Sequence, residues 1–343
     1  MIHDGIAFHN VSELEPRAGG ALMIHRLPQA LRDGLGIPGH QRGRFYAHRL
    51  TGVELRFVVE SPFVAVTLMA LEADTHVVVF RGDFAHARHE LKAGVATTLF
   101  LEDPAPFALV EPGMLRAGRF DARVWRIAFH QDARACYLGR ETYGTTIRPP
   151  AASEVPSRTW VAYGSSITYG ANALHGPNAY IQQTARRLGV DVHNLGLPGS
   201  CMAEPAMAAH LAGRADADLI TCELGVNTVD WLTAEDFAGR VRYLLATVAD
   251  ARPARPVGVI DIYPNRAHQA KDPTGLAARN TPVFARIVAD TVRDLARPNL
   301  HHIKAATIVG GADWLTTDLL HPSDDGHVHM GERLAAALRP LLP

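Results

Sequence analysis

The spacing of apolar positions changes once along this chain. Up to about residue 140 the period is two: in GVELRFVVE, Val53, Leu55, Phe57 and Val59 alternate with Glu54, Arg56 and Val58, and PFVAVTLMALE and VATTLFLE are similar short runs. Turn residues, as in RGDF and KAGV, separate them. Such strands, with LPQALRDGL the one plausible helix, predict an antiparallel β-sandwich that buries one face of each sheet. The periodicity then lapses in RETYGTTIRPPAASEVPSRT, where Pro149, Pro150 and Pro156 remove backbone donors, and this stretch reads as a connector. Beyond it TWVAYGS, VDVHNLG, ADLITCELG, PVGVIDIYP and LHHIKAA alternate with amphipathic helices, which predicts an α/β unit with a parallel sheet covered on both faces. One helix starts at Thr233, where TAED offers a capping box, and turns Phe237, Val241, Leu244, Leu245 and Val248 to one side. Another carries Phe284, Ile287, Val288, Thr291 and Leu295, and the last follows Ser323 and turns Met330, Leu334 and Leu338 inward. The expected division is residues 1–145 as the sandwich, 146–158 as linker and 159–343 as the α/β domain.

Length agrees with two domains, at the usual prior of roughly 100 to 200 residues each. The 34 basic and 35 acidic residues leave a net charge of -1, which supplies no field to recruit nucleic acid or an anionic membrane. A small, uncharged or mildly polar substrate fits better. Cys136, Cys201 and Cys222 form no close pair, so they are expected to be buried thiols rather than a disulfide framework or zinc knuckle. The amino terminus, MIHDGIAFHN, lacks the pattern of an export signal and no apolar run approaches a membrane span, so the expected location is cytoplasmic.

Ligands of an open parallel sheet bind at the carboxyl ends of its strands, and the loops there are informative. They carry Gly164-Ser165-Ser166-Ile167-Thr168-Tyr169-Gly170, then Asn194, Gly196 and Gly199, then Gly225 and Asn227, and finally Asp318 and His321. A serine hydroxyl attacks a carbonyl when a histidine accepts its proton and a carboxylate holds that histidine. The Asp318-x-x-His321 spacing suits the last contact. The backbone N–H groups of Ser166 and Gly199 and the amide of Asn227 can converge on an oxyanion.

These four ordered blocks resemble the SGNH (GDSL-type) hydrolases over a little over half of the chain. The resemblance implies a flavodoxin-like three-layer α/β/α domain with Ser166 as nucleophile, His321 as base, Asp318 as its orienter, and Ser166, Gly199 and Asn227 around the oxyanion. It implies no cofactor and no metal. Two positions depart from the family pattern. Ser165 replaces the aspartate of Gly-Asp-Ser and stands as a rival nucleophile, and Thr228 follows Asn227 where aspartate is common. The amino-terminal sandwich resembles the jelly-roll-like modules of some carbohydrate O-acetyl esterases and related acyltransferases. The expected activity is therefore a serine esterase acting on a small acyl ester, an O-acetyl group on a sugar. An acyltransferase with the same residues, or an inactive carbohydrate-binding protein, are the alternatives. The α/β-hydrolase elbow Gly-x-Ser-x-Gly is broken here and is disfavoured.

Other features have plainer readings. His327 and His329 fall on different faces of a predicted helix, which disfavours a metal pair. Residues 263–280 form a long basic segment, expected to be a solvated loop unless it covers the site. Trp231 and Trp314 could stack on a sugar or pack in the core.

Overall fold

The alternating strands of the amino-terminal half pair into two antiparallel sheets, one of seven strands and one of five. A computed structural model describes residues 1–116 and 118–342 of the chain. At the centre of the larger sheet Glu54–Val59 lies beside Trp125–Phe129, with Phe57 opposite Trp125. Leu55, Phe57, Val66, Leu68, Val79, Leu99 and Ile127 meet between the two sheets, forming the sandwich core. Removing that apolar area from water, at about 25 cal/mol per Å², is the main force holding the sheets together. Ile147–Arg148, within the segment read as a connector, add a short strand by pairing with Val59 and Val58.

The opposite face of Glu54–Val59, which carries Glu54, Arg56 and Val58, is buried as well. Arg56 donates to Glu54 (2.7 Å) and, as a fork, to Asp191 of the other half (2.5 and 2.9 Å). The polar alternation therefore marks an interface between halves.

The carboxy-terminal half is built on five parallel strands in the spatial order Asp191–Gly196, Thr159–Gly164, Leu219–Glu223, Val257–Ile260, Leu300–Ile303. This is the doubly wound order 2-1-3-4-5, whose crevice lies beside the first strand. Successive side chains of that strand face opposite layers. Trp160 and Ala162 pack with Tyr180, Ile181, Met330 and Leu334 of two helices, and Val161 and Tyr163 with Met207, Leu244 and Phe284 of three others. The three-layer α/β/α architecture and the preceding antiparallel sheets match the sequence pattern. The expected caps also form: the hydroxyls of Thr233 and Ser323 accept from the N–H groups of Asp236 and Gly326 (3.1 and 3.0 Å).

The segment after the first sandwich strands was underestimated. Besides the expected helix, Gln29–Gly34, a second forms at Arg42–Tyr46, and Leu27, Leu31, Leu35 and Ala47 join the core of the α/β half. The RGRFY run has no apolar stripe to announce it. Its position is set by contact with the sheet's rim.

Candidate active site

Thr159–Gly164 ends at the crevice, and a single helical turn, Ser166–Tyr169, follows at once. Ser165 caps that turn, its hydroxyl accepting from the N–H of Ile167 at 3.1 Å. The two serines consequently point apart. Ser165 is fully buried and gives both its N–H (2.7 Å) and its O–H (2.6 Å) to Oε2 of Glu223. The Ser166 hydroxyl instead meets Nε2 of His321 at 2.7 Å.

His321 is held from behind by Asp318, with Nδ1 to Oδ2 at 2.6 Å. An ionised carboxylate only accepts, so Nδ1 carries the proton and Nε2 is left to accept from Ser166. Burial pushes the Asp318 pKa up, but hydrogen bonds from the His321 ring, from the N–H groups of His321 and Leu320 and from the Thr316 hydroxyl outweigh it, holding the carboxyl well below the usual range. Such a line of groups can move a proton from serine to imidazole while the carboxylate steadies the resulting cation.

Gly199 and Asn227 line the same cavity, of about 370 Å³, as Ser166 and His321. In Leu197-Pro198-Gly199-Ser200 the Ser200 N–H donates to Leu197 O (3.1 Å) and Gly199 has φ +61°, so glycine suits this Pro-Gly turn. The Asn227 Oδ1 accepts from the Cys201 N–H at 3.1 Å, which fixes the amide and leaves its NH₂ as the free donor. Ser166 opens a helix, so its N–H lies outside the helical ladder. The structure thus brings together all five residues singled out in the sequence.

It adds one that was overlooked. Glu223, the last residue of an otherwise apolar and hydroxylic strand, accepts from Ser165 twice and from Thr168 at 3.1 Å. Burial raises its pKa, opposed by these bonds. A β-carbon on Gly164 would come within 2.7 Å of its Oε2, so glycine is required for this close approach. A carboxylate at the end of a buried strand, two residues before the Gly225 of a rim loop, was the available signal. Arg42, Tyr46 and Asp132 of the amino-terminal half complete the cavity wall and had no sequence signal.

The remaining candidates separate. Both ring nitrogens of the buried His327 are engaged, by the Tyr180 N–H (3.2 Å) and Ala171 O (3.0 Å), while His329 stacks on Trp314. Among the described residues no group of three or more His, Cys, Asp or Glu side chains is placed to hold a metal. Trp314 is also covered by the Arg333 guanidinium, whereas Trp231 is about half exposed and packs on His40. Arg266 of the basic segment donates to Asp318 O at 2.6 Å and braces the loop that carries Asp318 and His321. The three cysteines are buried and unpaired, and among the described residues no helix is long and apolar enough to cross a membrane.

Residues 162–328 match the GDSL-like Lipase/Acylhydrolase family. No curated protein matches the chain. Among solved structures, a salicylyl-acyltransferase, SsfX3, from a tetracycline biosynthetic pathway superposes with a TM-score of 0.80 at 18% identity, over 99% of this chain and 96% of that one. A family two carbohydrate esterase from Cellvibrio japonicus gives 0.66 at 13% identity over 99% and 96%. An acetyl xylan esterase, Est2A, from the rumen bacterium Butyrivibrio proteoclasticus gives 0.59 at 13% identity over the same shares. These likenesses establish a shared two-part fold.

Proposed function

We infer, for a chain whose residues 162–328 belong to the GDSL-like lipase/acylhydrolase family, a serine esterase that hydrolyses small acyl esters through an acyl-enzyme. One observation carries this reading: the unbroken contacts Ser166 Oγ to His321 Nε2 to Asp318, at 2.7 and 2.6 Å, open onto a cavity with hydrogen-bond donors on its wall. His321 takes the Ser166 proton as Oγ attacks the ester carbonyl, and then passes it to the departing alcohol. The N–H groups of Ser166 and Gly199 and the Asn227 amide hold the oxyanion. Water, deprotonated by the same histidine, releases the acid and frees Ser166. Glu223 acts beneath the site as the anchor that turns Ser165 away and leaves Ser166 facing the imidazole. Residues 1–145 and 159–343 work as two domains, with 146–158 between them.

The alcohol is read as a carbohydrate carrying an O-acetyl group. A second cavity of about 410 Å³ shares Tyr46 and Asp132 with the first and is lined by Thr75, His76, Arg49 and Arg134, a polar wall suited to hydroxyl-rich groups. The same cavity favours a second reading, acyl transfer, because it can seat an acceptor alcohol beside the acyl-enzyme.

Hydrolysis of p-nitrophenyl esters of increasing chain length tests the first reading. Activity should centre on acetate, vanish in Ser166→Ala and survive in Ser165→Ala. Loss in Ser165→Ala with full retention in Ser166→Ala would overturn the assignment. A transfer product on adding acetylatable sugars or alcohols would select the second reading.

A further inference from the structure

We propose that Arg42 forms an anion subsite in the catalytic cavity, so that the preferred ester carries a carboxylate on its acyl chain or its alcohol. This rests on the esterase reading above and adds the substrate's charge to it.

Arg42 reaches the cavity from the amino-terminal half, and its place there is built rather than incidental. The helix Arg42–Tyr46 sits directly on the rim loop: Leu35 and Ser200 each lie 3.3 Å from where a β-carbon on buried Gly43 would stand. Arg42 and Tyr46, four residues apart, share one helix face. The guanidinium carbon lies 5.3 Å from the centre of the Tyr46 ring, and Nη2 donates to the Tyr46 hydroxyl at 3.1 Å. The Tyr46 ring in turn rests edge-on against Tyr169 at 5.9 Å. Nη1 comes within 3.4 Å of the point a Gly199 β-carbon would take, so the cationic head hangs over the loop that faces Ser166.

What the guanidinium lacks is an anion. Among the described residues its only hydrogen bond is the one to Tyr46, and it joins no ion pair. Neighbouring arginines are satisfied otherwise. Arg49 pairs with Glu72 at 2.8 Å, and the buried Arg26 donates to the carbonyls of Tyr46, Arg49, Asn194 and Gly196. Asp132, the one carboxylate in the cavity wall, is taken by the Tyr169 hydroxyl at 2.7 Å. An exposed planar fork held beside an aromatic ring, with free donors, matches a carboxylate in shape and charge. Arg42 is exposed, so water solvates the guanidinium until an anionic ester takes the water's place, which an acetyl ester of a neutral alcohol cannot do.

Two matched pairs of esters locate the anion. Monomethyl succinate against dimethyl succinate places it on the acyl side, and 3-O-acetylglucuronic acid against 3-O-acetylglucose on the alcohol side. In the full-length protein at least one pair should show a higher kcat/KM for its anionic member. Arg42→Ala should lower that value by about 10- to 100-fold, mainly through KM, as loss of a charge-assisted hydrogen bond does, with the neutral partner changing by less than about threefold. Arg42→Lys should recover part of the preference, and added salt should erode it in the wild type but not in Arg42→Ala. Equal losses for neutral and anionic esters would overturn the proposal, since Arg42 would then act on the group common to both. Wild-type hydrolysis with no charge preference in either pair would sink the subsite and leave the esterase standing. A wild type inactive on every ester would take both down.

Discussion

Two charged clusters join the halves of this protein, and they use the same kinds of side chain to opposite ends. Around Arg56 every charge is answered. Arg56 binds Glu54 and Asp191, Arg126 binds Glu54 (2.6 Å) and Asp83 (3.0 Å), and Arg119 reaches Asp83 as well. The space left among them is only about 50 Å³. Burial pushes the Asp191 pKa up, and the Arg56 charge more than reverses that, so the pair stays ionised. Around Ser166 the geometry is as tight between neighbours, but donors on Gly199, Asn227 and Arg42 are left facing a cavity about seven times larger. Charges that answer one another make an interface. Unused hydrogen-bonding capacity beside a nucleophile makes a place for a substrate.

The contrast can be broken from either side. Asp318→Asn should have the largest effect, lowering kcat by roughly 1,000- to 10,000-fold, because an amide can donate to Nδ1 and favour the wrong imidazole tautomer. Since Asn keeps the Oδ1 acceptor for Leu320 and His321, the melting temperature should barely move. A comparable loss of stability and activity would show that Asp318 serves the fold.

Arg56→Met should do the reverse. It leaves Asp191 buried without its guanidinium and should cost about 3–5 kcal/mol of unfolding free energy in denaturant titration, while the folded fraction keeps its kcat. Adding Asp191→Leu should return much of the loss, because an apolar pair removes the orphaned charge. Undiminished stability in the single variant would mean that the halves are held by apolar contact alone.

The most gradual effect is that of pH. Burial, aided by the Arg56 charge, pushes His9 down to about 4, and burial does the same to His210 and His327. From about 6.5 down to about 4 the unfolded chain therefore binds protons that the folded chain refuses, so stability rises with pH across this window and is lost as pH falls through it. Asp318, held low, keeps its charge throughout. Melting temperature should fall steadily between pH 7 and 4.5. A flat profile would contradict neutral burial of these imidazoles.

Much of this arrangement was legible in the chain. The period-2 and helical runs defined the two sheet types, because both report which side of an element loses water. The four blocks at the strand ends pointed to Ser166, Gly199, Asn227, Asp318 and His321, because the end of a parallel strand is itself a local feature. Glu223 and Arg42 were not legible in the same way. One ends a strand as an ordinary polar residue would, and the other sits in RGRFY, which has no period at all. Alternation set Glu54 and Arg56 on one side of their strand, but it reveals only that polar groups share a side, not that partners from a distant segment cover it.

Local order along the chain therefore determined the elements, their sequence and the chemical groups that emerge at the rim. Tertiary structure alone decided which of two adjacent serines meets the imidazole, and it did so through Glu223, 58 positions away, binding Ser165. It also brought Arg42 over Gly199 and buried the Arg56 cluster. The physical reason is the same in each case: apolar burial leaves a periodic trace in sequence, whereas a polar group is satisfied by a few directed bonds to partners that only the folded chain brings near.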